Sequence, residues 1–308
     1  MRLEKIVIGI DFGQQSLQAA RWVREQLAPE AELVLVHSVH VPTAPRFMRG
    51  GYPDQDEVRR TLEVGATERL AEFRKSLGET RVRMEIAAGK PSQQLCRVAE
   101  SEDADLVVVG EHGPRRGIWS VMGSTAENCL GACDRTVLLA RNLPEARLER
   151  LLVAVDEDDN CPTALAWARF LRQRFDSSVT VLHVLRDLLY RSMERACGVE
   201  EARHLRATME ADASRWLAQE TEAAGFGEGE MDVQITSGDP DYAIPVASQH
   251  METDLIIMGR HGRSGVSGAV LGSAARSVMQ YATCSVLVLQ RPARSPEERG
   301  DEGAADSG

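Results

Sequence analysis

The sequence predicts an α/β protein built from two tandem open parallel five-stranded sheets with helices on both faces. Short uninterrupted runs of Val, Ile and Leu alternate with longer amphipathic stretches, this alternation occurs twice, and both copies carry the same glycine-spaced loop. Uninterrupted apolar runs are typical of strands that are buried on both faces. Alternation of such strands with helices predicts a parallel sheet covered on both sides.

Ten apolar runs are predicted strands, five in each half of the chain. In the first half they are KIVIGID (5–11), ELVLVHSV (32–39), VRMEIAA (82–88), DLVVVG (105–110) and TVLLAR (136–141). In the second half they are LLVAVD (151–156), SVTVLHVL (178–185), MDVQITS (231–237), DLIIMG (254–259) and SVLVLQ (285–290).

Helical patterns separate the strands. They cover approximately 15–28, 55–78, 91–103, 123–133, 161–174, 190–224, 240–252 and 272–282. Pro240 suits the first turn of its helix, whereas Pro245 is expected to interrupt the same helix unless that helix starts later or kinks.

The segment NLPEARLER (142–150) is short and polar and separates two predicted domains, residues 1–143 and 148–291. Residues 292–308 contain almost no large apolar side chain, so we expect a disordered tail. The segment 42–55 is expected to be a surface excursion.

The composition argues against several functional classes. A net charge of −11 disfavours broad contact with nucleic acid or an anionic membrane surface. No apolar run approaches the ~18 residues that a membrane-spanning helix needs, and no secretory signal is recognisable, so we expect a cytoplasmic protein without membrane insertion. The six cysteines form no C-x-x-C pair, and we expect buried free thiols.

The chain is an internal duplication. GEHGPRRGIWSVMGS at 110–124 and GRHGRSGVSGAVLGS at 259–273 share the pattern G-x2-G-x9-G-S and lie 149 residues apart. Nearer the start of each half the offset is 145, which pairs Asp11 with Asp156. A drifting offset indicates small loop insertions in a repeated architecture.

Each glycine loop follows a predicted strand and ends where a predicted helix begins. A helix N-terminus offers unpaired amides and partial positive charge, which suit a phosphate group, and glycines allow close approach of the backbone. The loops contain no lysine. The alternative is that the glycines only form turns, which two copies in register disfavour. No Walker A motif and no G-x-G-x-x-G after the first strand are present, so P-loop and ordinary dinucleotide sites are not predicted.

These residues resemble a tandem member of the universal stress protein family, of the type that binds ATP. The resemblance covers residues 3–290 and rests on the acidic strand ends (GID11, AVD156), the histidines His37 and His183, the two G-x-P motifs, and both loops. It implies a five-stranded parallel fold, bound ATP (or AMP or ADP) with Mg²⁺, and a stress-response or protective role.

The resemblance also implies site residues. Asp11 and Asp156 would meet the adenine, Gly9 and Ala154 would pack beneath it, and Ser38, Val109, Val184 and Met258 would form its slot. Ribose and phosphates would be held by Gly110, Gly113, Gly123 and Ser124 in the first half and by Gly259, Gly262, Gly272 and Ser273 in the second. Thr125 and Ala274 would each add a backbone amide, and His112 and His261 lie inside the loops.

The charges of the two loops differ. Arg260 and Arg263 are expected to favour a polyphosphate in the second site, while Glu111, which stands where Arg260 does, is expected to repel one. We therefore expect tighter binding at the second site.

Simpler roles compete for several residues. His37 and His183 end apolar strands, where a hydrogen-bonded core histidine is expected. Asp11 and Asp156 can cap the helices that follow them. No catalytic residue is predicted.

Three functions follow. The first is a non-enzymatic nucleotide-binding regulator that changes its affinity for an unidentified protein partner. The second is a slow ATP hydrolase or phosphate-transferring enzyme, and the third is an interaction module with decayed sites. TVLLAR and SVLVLQ are expected to pair within one molecule as an intramolecular pseudo-dimer, and further homodimerisation is left open.

Overall fold

The computed structural model describes residues 1–41, 54–78, 80–111, 123–145, 147–157, 160–261 and 271–290. Most of the expected surface excursion and the whole expected tail lie outside these residues.

The described chain contains the expected strands and helices, with shifted ends. The strands are β1 (Lys5–Gly9), β2 (Glu32–Val39), β3 (Val82–Ala88), β4 (Leu106–Gly110), β5 (Val137–Ala140), β6 (Arg150–Val155), β7 (Ser178–Arg186), β8 (Asp232–Gly238), β9 (Leu255–Gly259) and β10 (Ser285–Leu289). The helices are α1 (Gln14–Trp22, continued by a π-helical turn, Val23–Leu27), α2 (Gln55–Ser76), α3 (Pro91–Ser101), α4 (Ser124–Ala132), α5 (Cys161–Phe175), α6 (Leu188–Cys197), α7 (Val199–Ala223), α8 (Pro240–His250) and α9 (Ser273–Tyr281).

Two helical expectations need correction. The single helix expected over 190–224 is two helices, because Gly198 adopts φ 108°, outside the helical range. Pro245 does not end α8. It cannot donate a hydrogen bond to the carbonyl of Asp241, and the hydroxyl of Ser277 in α9 donates to that carbonyl instead. A neighbouring helix thus satisfies the group that proline leaves unpaired.

The strands form one continuous sheet in the order β3-β2-β1-β4-β5-β10-β9-β6-β7-β8. Pairing is parallel within each half, and β5 pairs with β10 in antiparallel orientation, with Leu138 opposite Leu287. The intramolecular pairing of the last strands is therefore confirmed, and it merges the two expected sheets.

A serine strengthens this junction. The Ser285 side chain is fully buried; its hydroxyl accepts a hydrogen bond from the Arg141 amide (3.0 Å) and donates one to the Arg141 carbonyl (2.7 Å). The start of β10 is thereby fastened to the end of β5.

Both faces of the central strands are buried, whereas the edge strand β8, also expected to be buried, contains no buried residue. One apolar cluster lies under α1, α2, α5 and α7, and a second lies under α3, α4, α8 and α9. Each cluster contains residues from both halves, so the hydrophobic core continues across the β5–β10 junction. Among the described helices, none combines the length and apolar character needed to span a membrane.

All six cysteines are free, as expected, but they are not all buried. Cys96 is partly buried and Cys197 is exposed.

Candidate functional site

Two cavities lie where the strand order reverses. In the first half the chain runs from β1 outward to β2 and β3 on one side and then returns to place β4 on the other side of β1. In the second half β9 lies beside β6 in the same way. Crevices beyond the carboxyl ends of such strand pairs are where open parallel sheets bind ligands. Cavity one in the first half has a volume of about 370 Å³ and cavity two in the second half about 310 Å³, which suits a small organic ligand.

The structure gathers every predicted site residue that it describes around one of these cavities. Cavity one is lined by Gly9, Ile10, Asp11, Ser16, Val36, His37, Ser38, Pro91, Leu95, Val109, Gly110, Glu111, Gly123, Ser124, Thr125 and Ala126. Cavity two is lined by Ala154, Val155, Asp156, Asn160, Cys161, Ala164, Leu182, Val184, Arg186, Pro240, Ile244, Met258, Gly259, Arg260, His261, Leu271, Gly272, Ser273, Ala274 and Ala275. The predicted residues His112, Gly113, Gly262 and Arg263 lie outside the described residues.

Each glycine loop is closed at its base by one backbone hydrogen bond. The Gly123 amide donates to the Glu111 carbonyl over 3.0 Å, and the Gly272 amide donates to the Arg260 carbonyl over 3.0 Å. A Cβ at position 272 would lie 2.9 Å from the Arg260 carbonyl oxygen, a backbone atom that cannot move aside cheaply. Glycine at 272 is therefore required by loop closure.

The helices that follow the loops present their N-termini to the cavities. Gly123 precedes α4 and Gly272 precedes α9, and in neither helix does an N-cap side chain bind the first-turn amides. The first three residues of each helix line a cavity. Free first-turn amides with the positive end of the helix dipole form a site for an anionic group.

The glycines that end β4 and β9 have a packing role. A Cβ at Gly110 would lie 3.3 Å from the Ser16 amide nitrogen, and one at Gly259 would lie 3.0 Å from Asn160 Nδ2. These glycines let the N-terminal ends of α1 and α5 approach the strand ends closely.

The aspartates at the ends of the first strands bind the backbone. Asp11 Oδ1 accepts hydrogen bonds from the Gly13 amide (2.8 Å) and the Ser16 hydroxyl (2.6 Å), which fixes the start of α1. Asp156 Oδ1 accepts from the Glu157 amide over 2.9 Å. The N-cap residue of α1 is Gly13, so Asp11 holds the start of this helix without being its N-cap, and its side chain also borders cavity one.

The two histidines are hydrogen-bonded as expected. His37 Nδ1 lies 2.6 Å from the Ile10 carbonyl oxygen, and His183 Nδ1 lies 3.0 Å from that of Val155. His37 also packs against the Phe12 ring at a centroid distance of 4.6 Å. Both rings therefore fasten the end of β2 or β7 to the neighbouring strand.

Glu111 is an ion-pair partner rather than an isolated carboxylate. Its Oε1 lies 2.7 Å from a guanidinium nitrogen of Arg141, and the two side chains are only 14% and 4% exposed. This pairing offsets the charge that the sequence led us to expect would repel phosphate in cavity one.

Arg260 reaches across to the other half of the chain. Its guanidinium donates to the Gly131 carbonyl at the end of α4 and to Gln290 Oε1, the latter over 3.0 Å. The side chain is buried, and burial is the main influence that lowers the pKa of Arg260. The sequence led us to expect Arg260 to bind phosphate and so to make the second site the tighter one. Because its guanidinium is bound to Gly131 and Gln290, this reason for a difference in affinity does not hold.

The structure adds residues that sequence reasoning missed. Leu182 and Arg186 flank the predicted residue Val184 on the same side of β7 and line cavity two, so the exposed side chain of Arg186 lies at its edge. The sequence contained the signal for Arg186, because a residue two positions beyond Val184 lies on the same face of the strand. Leu95 in cavity one and Ile244 in cavity two were also missed, because their helical pattern indicated only core packing.

The described residues contain no group of three or more His, Cys, Asp or Glu side chains that could hold a metal ion.

Comparisons with known proteins agree with this architecture. The sequence model of the universal stress protein family matches residues 2–141 and again residues 147–290. A universal stress protein of Mycolicibacterium smegmatis is 25% identical over 299 residues, which cover 92% of this chain and 96% of the relative. One from Mycobacterium tuberculosis (strain ATCC 25618 / H37Rv) is 26% identical over 302 residues, with the same coverage of 92% and 96%.

Solved structures show the same fold. A universal stress protein from Archaeoglobus fulgidus DSM 4304 superposes with a TM-score of 0.63 at 18% identity, covering 95% of this chain and all of that one. A protein from Pseudomonas aeruginosa PAO1, described as functionally unknown, gives a TM-score of 0.62 at 18% identity, covering 94% and 93% of the two chains. With the family matched in both halves of the sequence, the chain belongs to the universal stress protein family, as a tandem member.

Proposed function

We propose that the chain binds one adenine nucleotide in each cavity, ATP in the first place, and acts as a non-enzymatic regulator in the stress response. The observation that carries the proposal is the pair of uncapped helix N-termini, at α4 and α9, that open onto cavities at the two strand-order reversals. Phosphates would lie against these N-termini.

The opposite part of each cavity suits a base. In cavity two, Ala154, Leu182, Val184, Ile244 and Met258 form apolar walls. Val36, Leu95 and Val109 do so in cavity one. A site with apolar walls and a few directed polar groups is typical of small-ligand binding. Mg²⁺ would accompany a polyphosphate, and nucleotide binding in the cavities would change the affinity for a protein partner.

The first experiment measures the adenine nucleotide content of purified and gently denatured protein, by chromatography with the protein quantified alongside. Two nucleotides per chain are expected when both cavities retain ligand. Calorimetry with Mg²⁺ and ATP follows on nucleotide-free protein, and phosphate release is measured in parallel, since sustained turnover would favour the hydrolase.

Two matched variants assign the sites. S38W and V184W place an indole in the base end of cavity one or cavity two, and each is expected to remove one binding site. V64W adds the same ring at an exposed position on α2 and is expected to retain both sites. If the wild-type protein neither contains nor binds nucleotide, the proposal is wrong and the interaction-module hypothesis replaces it.

A further inference from the structure

Arg141 links the base of the first glycine loop to a helix of the other half. Its guanidinium forms the ion pair with Glu111, and the same group donates to the carbonyls of Met279 (2.7 Å) and Ala282 at the end of α9. Glu111 in turn accepts the hydrogen bond that closes loop one. α9 begins at cavity two, so a direct chain of contacts runs from loop one to the helix whose N-terminus lines the other cavity.

Arg260 makes the reciprocal link from the second half to the first. The arginine is here the first member of the equivalent pair of positions, 260 and 290, whereas Arg141 is the second member of the pair 111 and 141. Arg260 is itself the residue whose carbonyl closes loop two, and its guanidinium donates to the Gly131 carbonyl at the end of α4. In the repeat, positions 111 and 141 hold Glu and Arg, whereas 260 and 290 hold Arg and Gln. Each pair nevertheless directs one buried guanidinium to the C-terminus of the opposite helix.

The helices that are capped in this way are short. α4 and α9 have nine residues each, a length of about 13 Å. An anionic ligand at the N-terminus and a guanidinium at the C-terminus both stabilise the helix dipole, so the two interactions act on one rigid element from its two ends.

We propose that Arg141 and Arg260 are positioning residues that couple the two cavities, so that a nucleotide in one raises the affinity of the other. A ligand in cavity one, which Glu111 lines, restrains the Glu111–Arg141 pair and thereby holds α9 in place for cavity two. Arg260 and α4 transmit the effect in the opposite direction. By linkage the coupling factor is the same both ways. This inference rests on the proposed function.

The coupling factor is measured on the full chain with Mg²⁺ and a non-hydrolysable ATP analogue. Calorimetry on V184W and on S38W gives the affinity of each cavity with the other filled by an indole. The coupling factor is the overall association constant for filling both cavities of the wild-type protein, divided by the product of the two association constants measured on these variants. We expect about fivefold or more.

Two double variants test the arginine link. E111Q/R141Q removes the guanidinium without leaving an unpaired charge, and its coupling factor is expected to fall to near one while two ligands still bind. E111R/R141Q copies the arrangement of Arg260 and Gln290 into the first half and is expected to retain the coupling. Each coupling factor is measured in the matching variant backgrounds with S38W and V184W.

A purely structural role for the arginine predicts a loss of thermal stability in E111Q/R141Q with the coupling factor unchanged, and that result would overturn the inference. Independent binding in the wild-type protein would overturn it as well. If E111Q/R141Q does not fold, the wild-type factor and E111R/R141Q decide the matter. Absence of any nucleotide binding would instead overturn the proposed function.

Discussion

Ser273 donates a hydrogen bond of 3.0 Å from its hydroxyl to a carboxylate oxygen of Asp241. This contact joins the first turns of α9 and α8 beside cavity two. The position equivalent to Asp241 in the first half holds Ser92, so the carboxylate is specific to the second half. A negative charge therefore stands next to the helix N-terminus where we place the phosphates.

D241S is expected to tighten ATP binding at cavity two by about two- to fivefold, because it removes a carboxylate that repels phosphate. The effect is modest since the group is partly exposed and screened by salt. Calorimetry in the S38W background, at low and high salt, measures it. D212S removes an exposed carboxylate from α7 and serves as the control. Weaker binding in D241S would show that Asp241 assists the ligand, for example through Mg²⁺.

G272V is expected to abolish binding at cavity two. The added Cβ would meet the Arg260 carbonyl oxygen at 2.9 Å and break the hydrogen bond that closes loop two. Nucleotide stoichiometry falling from two to one per chain is the readout.

A second glycine substitution, outside the loops, serves as the control and is expected to stabilise the protein. Gly65 lies in α2, and a Cβ there meets nothing within 4 Å. G65A is therefore expected to stabilise the protein by about 0.5–1 kcal/mol, measured by denaturant unfolding, with the stoichiometry unchanged. Normal binding by G272V would contradict the role given to loop closure.

Substitutions of Asp11 separate its role in holding the start of α1 from contact with a ligand. D11A removes the acceptor of two hydrogen bonds and is expected to cost about 1–2 kcal/mol of unfolding free energy. D11N keeps an oxygen for the Gly13 amide and is expected to recover most of that loss. In the V184W background, if D11N retains stability but loses ATP affinity, the carboxylate contacts the ligand. If it loses neither, Asp11 serves only to hold the start of α1.

Glu102 is expected to make stability depend on pH in the acid range. Hydrogen bonds from Lys5 and then Arg83 hold the pKa of Glu102 below its usual value. A lowered folded pKa means that the stabilisation is present above the unfolded pKa of about 4.3 and is lost as pH falls through the folded value.

E102Q is therefore expected to be less stable than the wild-type protein at pH 7, with the difference shrinking below about pH 4. Thermal unfolding across this range measures it, and E228Q, an exposed position, is the control. A difference that does not change with pH would refute the ionic contribution.

The sequence predicts features that depend on local pattern. Ten apolar runs identify the strands, and the repeated spacing identifies four glycines that line the cavities, Gly110, Gly123, Gly259 and Gly272. Features that depend on contacts between distant segments escaped prediction. One partner of Arg260, the Gly131 carbonyl, lies in the other half of the chain, and the carbonyl freed by Pro245 is satisfied by Ser277 from another helix. Periodicity carries no information about such partners.

The antiparallel junction of β5 and β10 keeps the two cavities together in one molecule. A homodimer of single-domain chains that pair through their last strands has two identical sites, and it dissociates on dilution. Here the two sites are covalently joined, so every molecule contains one cavity bordered by Glu111 and one bordered by Arg260 and Arg186, at any dilution. A mutation can therefore change one cavity without changing the other, and every molecule then carries the same difference between its two cavities.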